Sequence, residues 1–165
     1  MGNHGARHLS PLLPRRLVRR DRQGGYALRL GSSDRDMLRR LAPQFSALLD
    51  EPDQPILRRL FPPAYSEPAH AEQQEEYRRL MQEDLVARHR EELELLRSTA
   101  DADHLSEAEL LAWTRALNSV RLVLGTFLDI QEGDEGRRPV SAEEALYHWL
   151  THLQGEAIDA LAGDT

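Results

Sequence analysis

Three polar side chains recur along the most apolar part of this 165-residue sequence. Thr114, Asn118 and Arg121 follow one another at spacings of four and three residues, which places them on one face of a helix. If that face is buried, Asn118 and Arg121 need hydrogen-bonding partners. We call these three residues the polar line. In one interpretation, Arg121 pairs with a carboxylate and with Asn118 and so fixes the register of the helix. In the other, the polar line forms the wall of a ligand pocket. We favour the structural interpretation and keep the pocket as the alternative.

Histidines that could bind a metal occur near the carboxyl end of the chain. Glu144, His148 and His152 follow one another at intervals of four, and two histidines at that spacing on a helix can share one metal ion. The helical wheel, however, places both histidines opposite the apolar stripe that contains Leu150. We therefore expect them to face water and predict no metal site. His89 lies on an apolar stripe of an earlier helix, where we expect a core or rim histidine rather than a ligand.

No motif for a catalytic nucleophile or a phosphate-binding loop accompanies these residues. The chain contains no cysteine, which excludes thiol nucleophiles, thiolate metal sites and disulfide bonds within it. Glycine-rich phosphate loops and the G-x-S-x-G and H-E-x-x-H motifs are also missing from the sequence. We therefore predict no enzyme, no catalytic residue and no cofactor. The alternative is an enzyme, or a metal- or small-molecule-binding protein, that uses the polar line or the His148/His152 face.

The charges are distributed unevenly along the chain. Its 21 basic residues are all arginine, and 28 acidic residues give a formal net charge of -7. Ten of the arginines fall within residues 1–40, where only three aspartates oppose them. An acidic body with a basic arm is poorly suited to wrapping nucleic acid, so we expect a protein partner, with direct DNA binding through the arm as an alternative. The candidate contact residues are Arg15, Arg16, Arg19, Arg20 and Arg22.

Apolar stripes at helical spacing predict an all-α fold, a single helical-bundle domain over residues 15–165. The central helix is predicted over residues 110–130, and capping boxes open this helix at Ser106 and the last helix at Ser141. Ser33 is the predicted N-cap of the first helix, which Pro43 should kink or split. The stripes, in chain order, are Met37, Leu38, Leu41, Phe45, Leu48 and Leu49; Tyr77, Leu80, Met81 and Leu85; Val86, His89, Leu93 and Leu96; Leu110, Trp113, Leu117, Val120, Leu124 and Phe127; and Leu146, Trp149, Leu150, Leu153, Ala157 and Leu161.

Other local signals complete the predicted architecture. Residues 55–61 predict a short helix capped by Asp53, and a long polar helix follows over about 68–97. This helix either wraps gradually over its partners or breaks near residues 83–84. Residues 1–14 lack periodicity and are predicted to be a disordered tail. Alternation next to Gly24 and Gly25 predicts a small β-hairpin at about 15–30 that lies on the helices.

The apolar content of the sequence also bears on its location. The longest apolar run is far shorter than the roughly 18 residues that a membrane span requires. No signal-peptide pattern follows the first residues. The sequence therefore predicts a cytoplasmic protein that does not enter a membrane.

Four segments form a further pattern: LRRLFPPAY at 57–65, EYRRL at 76–80 followed by DL at 84–85, WTRALNSVRLVLGT at 113–126, and YHWLTHLQ at 147–154. In order and spacing they resemble the AosR-like family of actinobacteria, over about residues 15–161. The resemblance implies a non-enzymatic regulator of the oxidative-stress response that acts with an alternative sigma factor. Because the chain has no cysteine, a thiol redox switch is not expected in it. Met37 and Met81 lie on apolar stripes, where peroxide should reach them slowly.

Overall fold

The computed structural model describes residues 15–61, 71–134 and 137–163. Helices dominate these ranges and a small sheet accompanies them, so the predicted all-α class with an amino-terminal hairpin is confirmed. The predicted disordered tail at 1–14 lies outside the described residues. In chain order the elements are β1 (Val18–Arg20), β2 (Tyr26–Leu28), α1 (Ser32–Leu48), a 3-10 helix (Pro55–Leu57), α2 (Ala71–Ser98), β3 (His104–Leu105), α3 (Glu107–Phe127) and α4 (Ala142–Ala162).

Helix α3 packs against α2, α4 and the 3-10 helix. The capping box predicted at its start is present, because Ser106 Oγ accepts from Glu109 N at 3.2 Å and the Glu109 carboxylate accepts from Ser106 N at 2.8 Å. The prediction that Phe127 belongs to the buried stripe is wrong, because its side chain is 64% exposed where α3 ends. The rest of the stripe is confirmed as core: Leu110, Trp113, Leu117, Val120 and Leu124 are buried.

The predicted hairpin forms two strands of a three-stranded antiparallel sheet with the order β1-β2-β3. Val18 pairs with Leu28, and Tyr26 pairs with Leu105. All four side chains are buried, and β1 contacts α4. Strand β3 was not predicted from the sequence, because two residues are too few to show an alternating pattern.

Helix boundaries in the first third of the chain differ from the prediction. The N-cap of α1 is Gly31, so Ser33 is not the cap. Pro43 lies inside α1 without splitting it, and its ring faces the solvent. The 3-10 helix is shorter than the predicted helix, and its N-cap is Gln54 rather than Asp53.

Helix α2 is continuous over 28 residues, so the alternative of a break near residues 83–84 is wrong. Its carboxyl-terminal half contributes Leu93 and Leu96 to the core. In its amino-terminal half, Tyr77, Leu80 and Met81 are 66%, 60% and 45% exposed. Three residues of the first stripe predicted on this helix therefore face solvent, whereas the fourth, Leu85, is partly buried.

Helix α4 follows the predicted stripe, with Leu150 and Leu153 fully buried. Its capping box is only half formed. Ser141 Oγ accepts from Glu144 N at 3.1 Å, whereas the Glu144 carboxylate accepts from Val140 N at 2.8 Å, one residue before the cap. No helix in the described ranges combines the length and the apolar character that a membrane span needs.

Candidate functional site

The polar line lies on the side of α3 that faces α4. Arg121 donates from Nε to Thr151 Oγ1 at 2.8 Å and from Nη1 to Gln154 Oε1 at 2.7 Å. Asn118 Oδ1 accepts a longer bond from the same Nη1, at 3.4 Å. Gln154 also donates from Nε2 to the carbonyl of Thr114 at 3.3 Å. The Arg121 side chain and the Thr114 carbonyl therefore join α3 to α4, whereas Asn118 supports Arg121 within α3.

The partners of Arg121 are uncharged, which corrects the prediction of an ion pair. In the part of the chain that the structure describes, its guanidinium has no carboxylate at ion-pair distance and contacts neutral acceptors instead. The guanidinium carbon also lies 5.4 Å from the centre of the Tyr147 ring, within the range of a cation–π contact. Arg121 thus fixes the contact between α3 and α4, as predicted, but with neutral and aromatic groups.

A pocket of about 700 Å³ opens beside this contact, a size within the roughly 300–1,000 Å³ of ligand sites. Arg121, Tyr147, His148 and Thr151 line it from α3 and α4, and Arg59 lines it from the segment after the 3-10 helix. The loop between α3 and α4 adds acidic side chains. Of the polar line, only Arg121 reaches the pocket, so the ligand-pocket alternative applies to that residue alone.

The two histidines of α4 differ in their surroundings. His152 is exposed, as predicted, and its Nε2 lies 3.3 Å from Glu156 Oε1 one turn further along the helix. His148 is partly covered, which differs from the prediction, because it lies in the pocket wall with its ring edge-on to Tyr147. No group of three or more potential metal ligands occurs among the described residues.

His89 lies at the rim of the core, as predicted, in a cluster with Ser119 and Glu92. Its Nδ1 is 3.2 Å from Ser119 Oγ and 3.8 Å from Glu92 Oε2. Burial lowers the pKa of His89 and raises the pKa of Glu92. Because Ser119 and Glu92 approach the same ring nitrogen, the cluster cannot relay a proton as a Ser-His-Glu triad does.

The arginines proposed as partner contacts are all exposed, and β1 carries two of them. This strand is fixed to α4, because the Glu156 carboxylate accepts hydrogen bonds from the backbone N–H groups of Leu17 and Val18. The charges therefore stand on an anchored strand and its flanks. Together they are called the basic segment: Arg15, Arg16, Arg19, Arg20 and Arg22.

Comparison with known proteins assigns the chain to a family. A family model described as "Domain of unknown function (DUF2017)" matches residues 15–161. The chain belongs to this family. No solved structure matches it significantly.

Relatives with curated names support the same assignment. The oxidative stress regulator AosR of Mycobacterium bovis (strain ATCC BAA-935 / AF2122/97) is 29% identical over 151 residues, which are 80% of this chain and 69% of that protein. AosR of Mycobacterium tuberculosis (strain ATCC 25618 / H37Rv) matches to the same extent. A Mycobacterium leprae (strain TN) protein that also carries the name AosR is 32% identical over 129 residues, 67% of this chain and 59% of the relative. The predicted resemblance to the AosR-like family is confirmed.

In this DUF2017 member, the sequence did not predict that Arg121 contacts Tyr147, Thr151 and Gln154, or that Arg59 lines the same pocket. A signal for three of them was present. Tyr147, Thr151 and Gln154 follow one another at spacings of four and three residues, the same spacing as in the polar line itself. Equal spacing makes these residues candidates for contact with the polar line, but it does not by itself show that the two helices pair.

Proposed function

We propose that this protein is a non-enzymatic regulator of the oxidative-stress response that acts by binding a protein partner. Relatives named as oxidative stress regulators support the regulatory role. The observation that carries the proposed mechanism is the basic segment, which is exposed and anchored on a chain with a net charge of -7.

The basic segment is well arranged to attract an acidic surface. One aspartate, Asp21, stands among its five arginines, and its Oδ1 accepts hydrogen bonds from the backbone of Gln23 and Gly25 at 2.8 and 3.0 Å. These bonds, the one from Gly25 most strongly, lower the pKa of Asp21, and they hold its carboxylate against the turn. Complementary charge across an interface raises the association rate and aligns the partners. An acidic face of an alternative sigma factor, the partner class that the family resemblance implies, is the expected contact.

The signal for oxidative stress is proposed to reach this protein through its partner. Thiol oxidation needs a cysteine, and this chain has none. Regulation then consists of forming or releasing the complex when the partner changes state.

Charge reversal tests the proposed interface. Arg19→Glu combined with Arg22→Glu should slow association with a purified alternative sigma factor at low salt, and the difference should shrink at high salt. The melting temperature should not fall, because both side chains are exposed. The matched control reverses two exposed arginines on other elements, Arg40→Glu with Arg79→Glu. Equal association rates for the two double variants in stopped-flow experiments would place the interface elsewhere, and failure of the wild type to bind would reject this class of partner.

Direct DNA binding is the second candidate, because the same exposed arginines can neutralise backbone phosphates. The logarithm of DNA affinity falls with the logarithm of salt concentration by about 0.9 for each phosphate contacted. The acidic charge of the rest of the chain opposes this mode. Tight binding to duplex DNA with a steep salt dependence, lost on reversal of Arg19 and Arg22, would favour DNA over a protein partner.

A further inference from the structure

We propose that the pocket between α3, α4 and their connecting loop binds a small monocarboxylate that also carries hydroxyl or amine groups. This inference goes beyond the proposed regulatory function and does not depend on it. It starts from Arg121, whose guanidinium lines the pocket while the acceptors that hold it are uncharged. A fixed guanidinium with no carboxylate partner among the described residues is a binding element for an anion.

The contacts of Arg121 orient its guanidinium and leave part of it available. Nε and Nη1 donate to Thr151, Gln154 and Asn118. None of the hydrogen bonds among the described residues uses Nη2. The Tyr147 ring, 5.4 Å from the guanidinium carbon, restrains the group further. A ligand carboxylate that accepts from Nη2 therefore causes little additional loss of side-chain entropy.

Arg59 brings a second guanidinium to the same pocket. Its Nη2 donates to the carbonyl of Ile130 at 3.2 Å, and its Nη1 lies close to the backbone of Gly125. Ile130 is itself fixed, because its N–H donates to the Gly125 carbonyl at 2.9 Å where α3 ends. Two arginines from different elements thus bring positive charge to the pocket.

The acidic side chains in the pocket wall restrict the class of ligand. Asp129, Glu132, Asp134 and Glu144 line it from the loop and from the first turn of α4. Asp134 pairs with Arg137 at 3.5 Å, and the other three form no ion pair with any residue in the described ranges. These carboxylates repel a polyanion such as a nucleotide, but they accept hydrogen bonds from hydroxyl or ammonium groups. Most amino acids, and simple hydroxy acids such as lactate, carry one carboxylate and such donors, and so match both the arginines and the carboxylates of the pocket.

Calorimetric titration with a defined panel tests the proposal. The panel consists of the proteinogenic L-amino acids together with lactate, glycerate and shikimate. Tricarballylate, which has three carboxylates and no hydroxyl or amine, is the polyanion control. The matched variants are Arg59→Gln and Arg58→Gln, which change adjacent exposed arginines of which only Arg59 lines the pocket.

We expect at least one panel member to bind the wild type and the Arg58→Gln variant equally. The same compound should bind Arg59→Gln at least about tenfold more weakly, because a charge-assisted hydrogen bond is lost. In NMR spectra it should shift the amide signals of Gly125 and Ile130. The proposal is overturned if no panel member binds, if tricarballylate binds as tightly as the best panel member, or if the two arginine variants bind equally.

Discussion

A Cβ atom at Gly125 would lie 3.2 Å from Nη1 of Arg59. The same position is 3.2 Å from Cε2 of Tyr147, so the missing side chain lets both groups lie against the backbone of α3. A glycine inside a helix costs about 1 kcal/mol relative to alanine. The glycine in this otherwise apolar run is therefore explained by two side chains that approach from other elements.

Alanine substitutions at two helical glycines should separate the helix-propensity cost of glycine from the effect of the side chains that approach Gly125. Gly155 lies inside α4 with no atom within 4 Å of a new Cβ. Gly155→Ala should therefore raise the free energy of unfolding by about 0.5–1 kcal/mol. Gly125→Ala should show no such gain, because Arg59 and Tyr147 must move to admit the methyl group. Urea denaturation measures both, and equal gains at the two positions would contradict the close approach.

Truncation of Arg121 should destabilise the fold only moderately. Arg121→Ala removes its hydrogen bonds to Thr151 and Gln154 and its contact with Tyr147. We expect a loss of about 1.5–3 kcal/mol, the range for hydrogen bonds to a charged group. Breaking a buried ion pair would cost more, about 3–5 kcal/mol, because a charge would remain unpaired. Thermal unfolding of Arg121→Ala beside Arg40→Ala distinguishes the two, and a loss in the higher range would point to a carboxylate partner.

The partners of Arg121 could not be predicted from the sequence. Its helical spacing showed that it shares a face with Asn118, and the structure agrees. Spacing does not show which helix covers that face, so the sequence did not distinguish a carboxylate partner from Thr151 or Gln154. Opposite charges are common partners of arginine, but a neutral acceptor satisfies the same hydrogen-bonding need.

The same limit explains the stripe on α2. Periodicity correctly placed Tyr77, Leu80 and Met81 on one face, yet in the described part of the chain that face is exposed to solvent. Phe127 differs for another reason, since it is the last residue of α3. Periodicity therefore predicted which residues share a face, whereas coverage of that face depends on the lengths and ends of its neighbours.

Glu156 should stabilise the sheet against α4. Its carboxylate accepts from the backbone N–H groups of Leu17 and Val18, so Glu156→Ala leaves two part-buried donors without their acceptor. We expect a loss of about 1–3 kcal/mol. Asp159→Ala, at an exposed acid on the same helix, is the matched control and should change stability little. If both variants unfold at the same urea concentration, the carboxylate does not hold the strand.

Glu92 should make stability depend on pH. Burial is the largest effect on its carboxyl group and raises its pKa, against the opposing charges of Arg115 and Arg88. A pKa that is higher in the folded state means that folding favours the protonated form. The stability from this group is then fully present below its ordinary pKa of 4.5 and is lost as pH rises through the folded pKa.

Glu92→Gln removes this charge and should be more stable than the wild type at neutral pH. The advantage should shrink as pH falls toward 4.5, where the wild-type carboxyl group becomes protonated. His89, whose Nδ1 lies 3.8 Å from the Glu92 carboxylate, changes stability with pH in the opposite direction. Burial lowers the pKa of His89, so its contribution to the free energy of unfolding is lost as pH falls below 6.5. Both proteins are therefore compared in an additional His89→Gln background, by urea denaturation between about pH 4.5 and 8. A difference that stays constant over this range would contradict the raised pKa.

Met81 and Met37 should differ in their reaction with peroxide. The expectation that both react slowly is wrong for Met81, whose side chain is 45% exposed, whereas Met37 packs against the core. Hydrogen peroxide converts an accessible thioether into a sulfoxide. We expect Met81 to be oxidised several-fold faster than Met37, which mass spectrometry of the tryptic peptides 80–88 and 36–39 can measure.

The consequences of the two oxidations should differ as well. Met81 lies beside Tyr77 and Leu80 on a solvent-facing surface, so its sulfoxide should make that surface more polar and leave the melting temperature unchanged. A sulfoxide at Met37 places a polar group against the core and should lower the melting temperature. The Met81→Leu variant is the control, because, of these two positions, only Met37 can then be oxidised. In this variant, oxidation of Met37 should coincide with the fall in melting temperature. Equal oxidation rates at the two methionines, or a fall in melting temperature when only Met81 is oxidised, would show that this part of α2 is covered in solution.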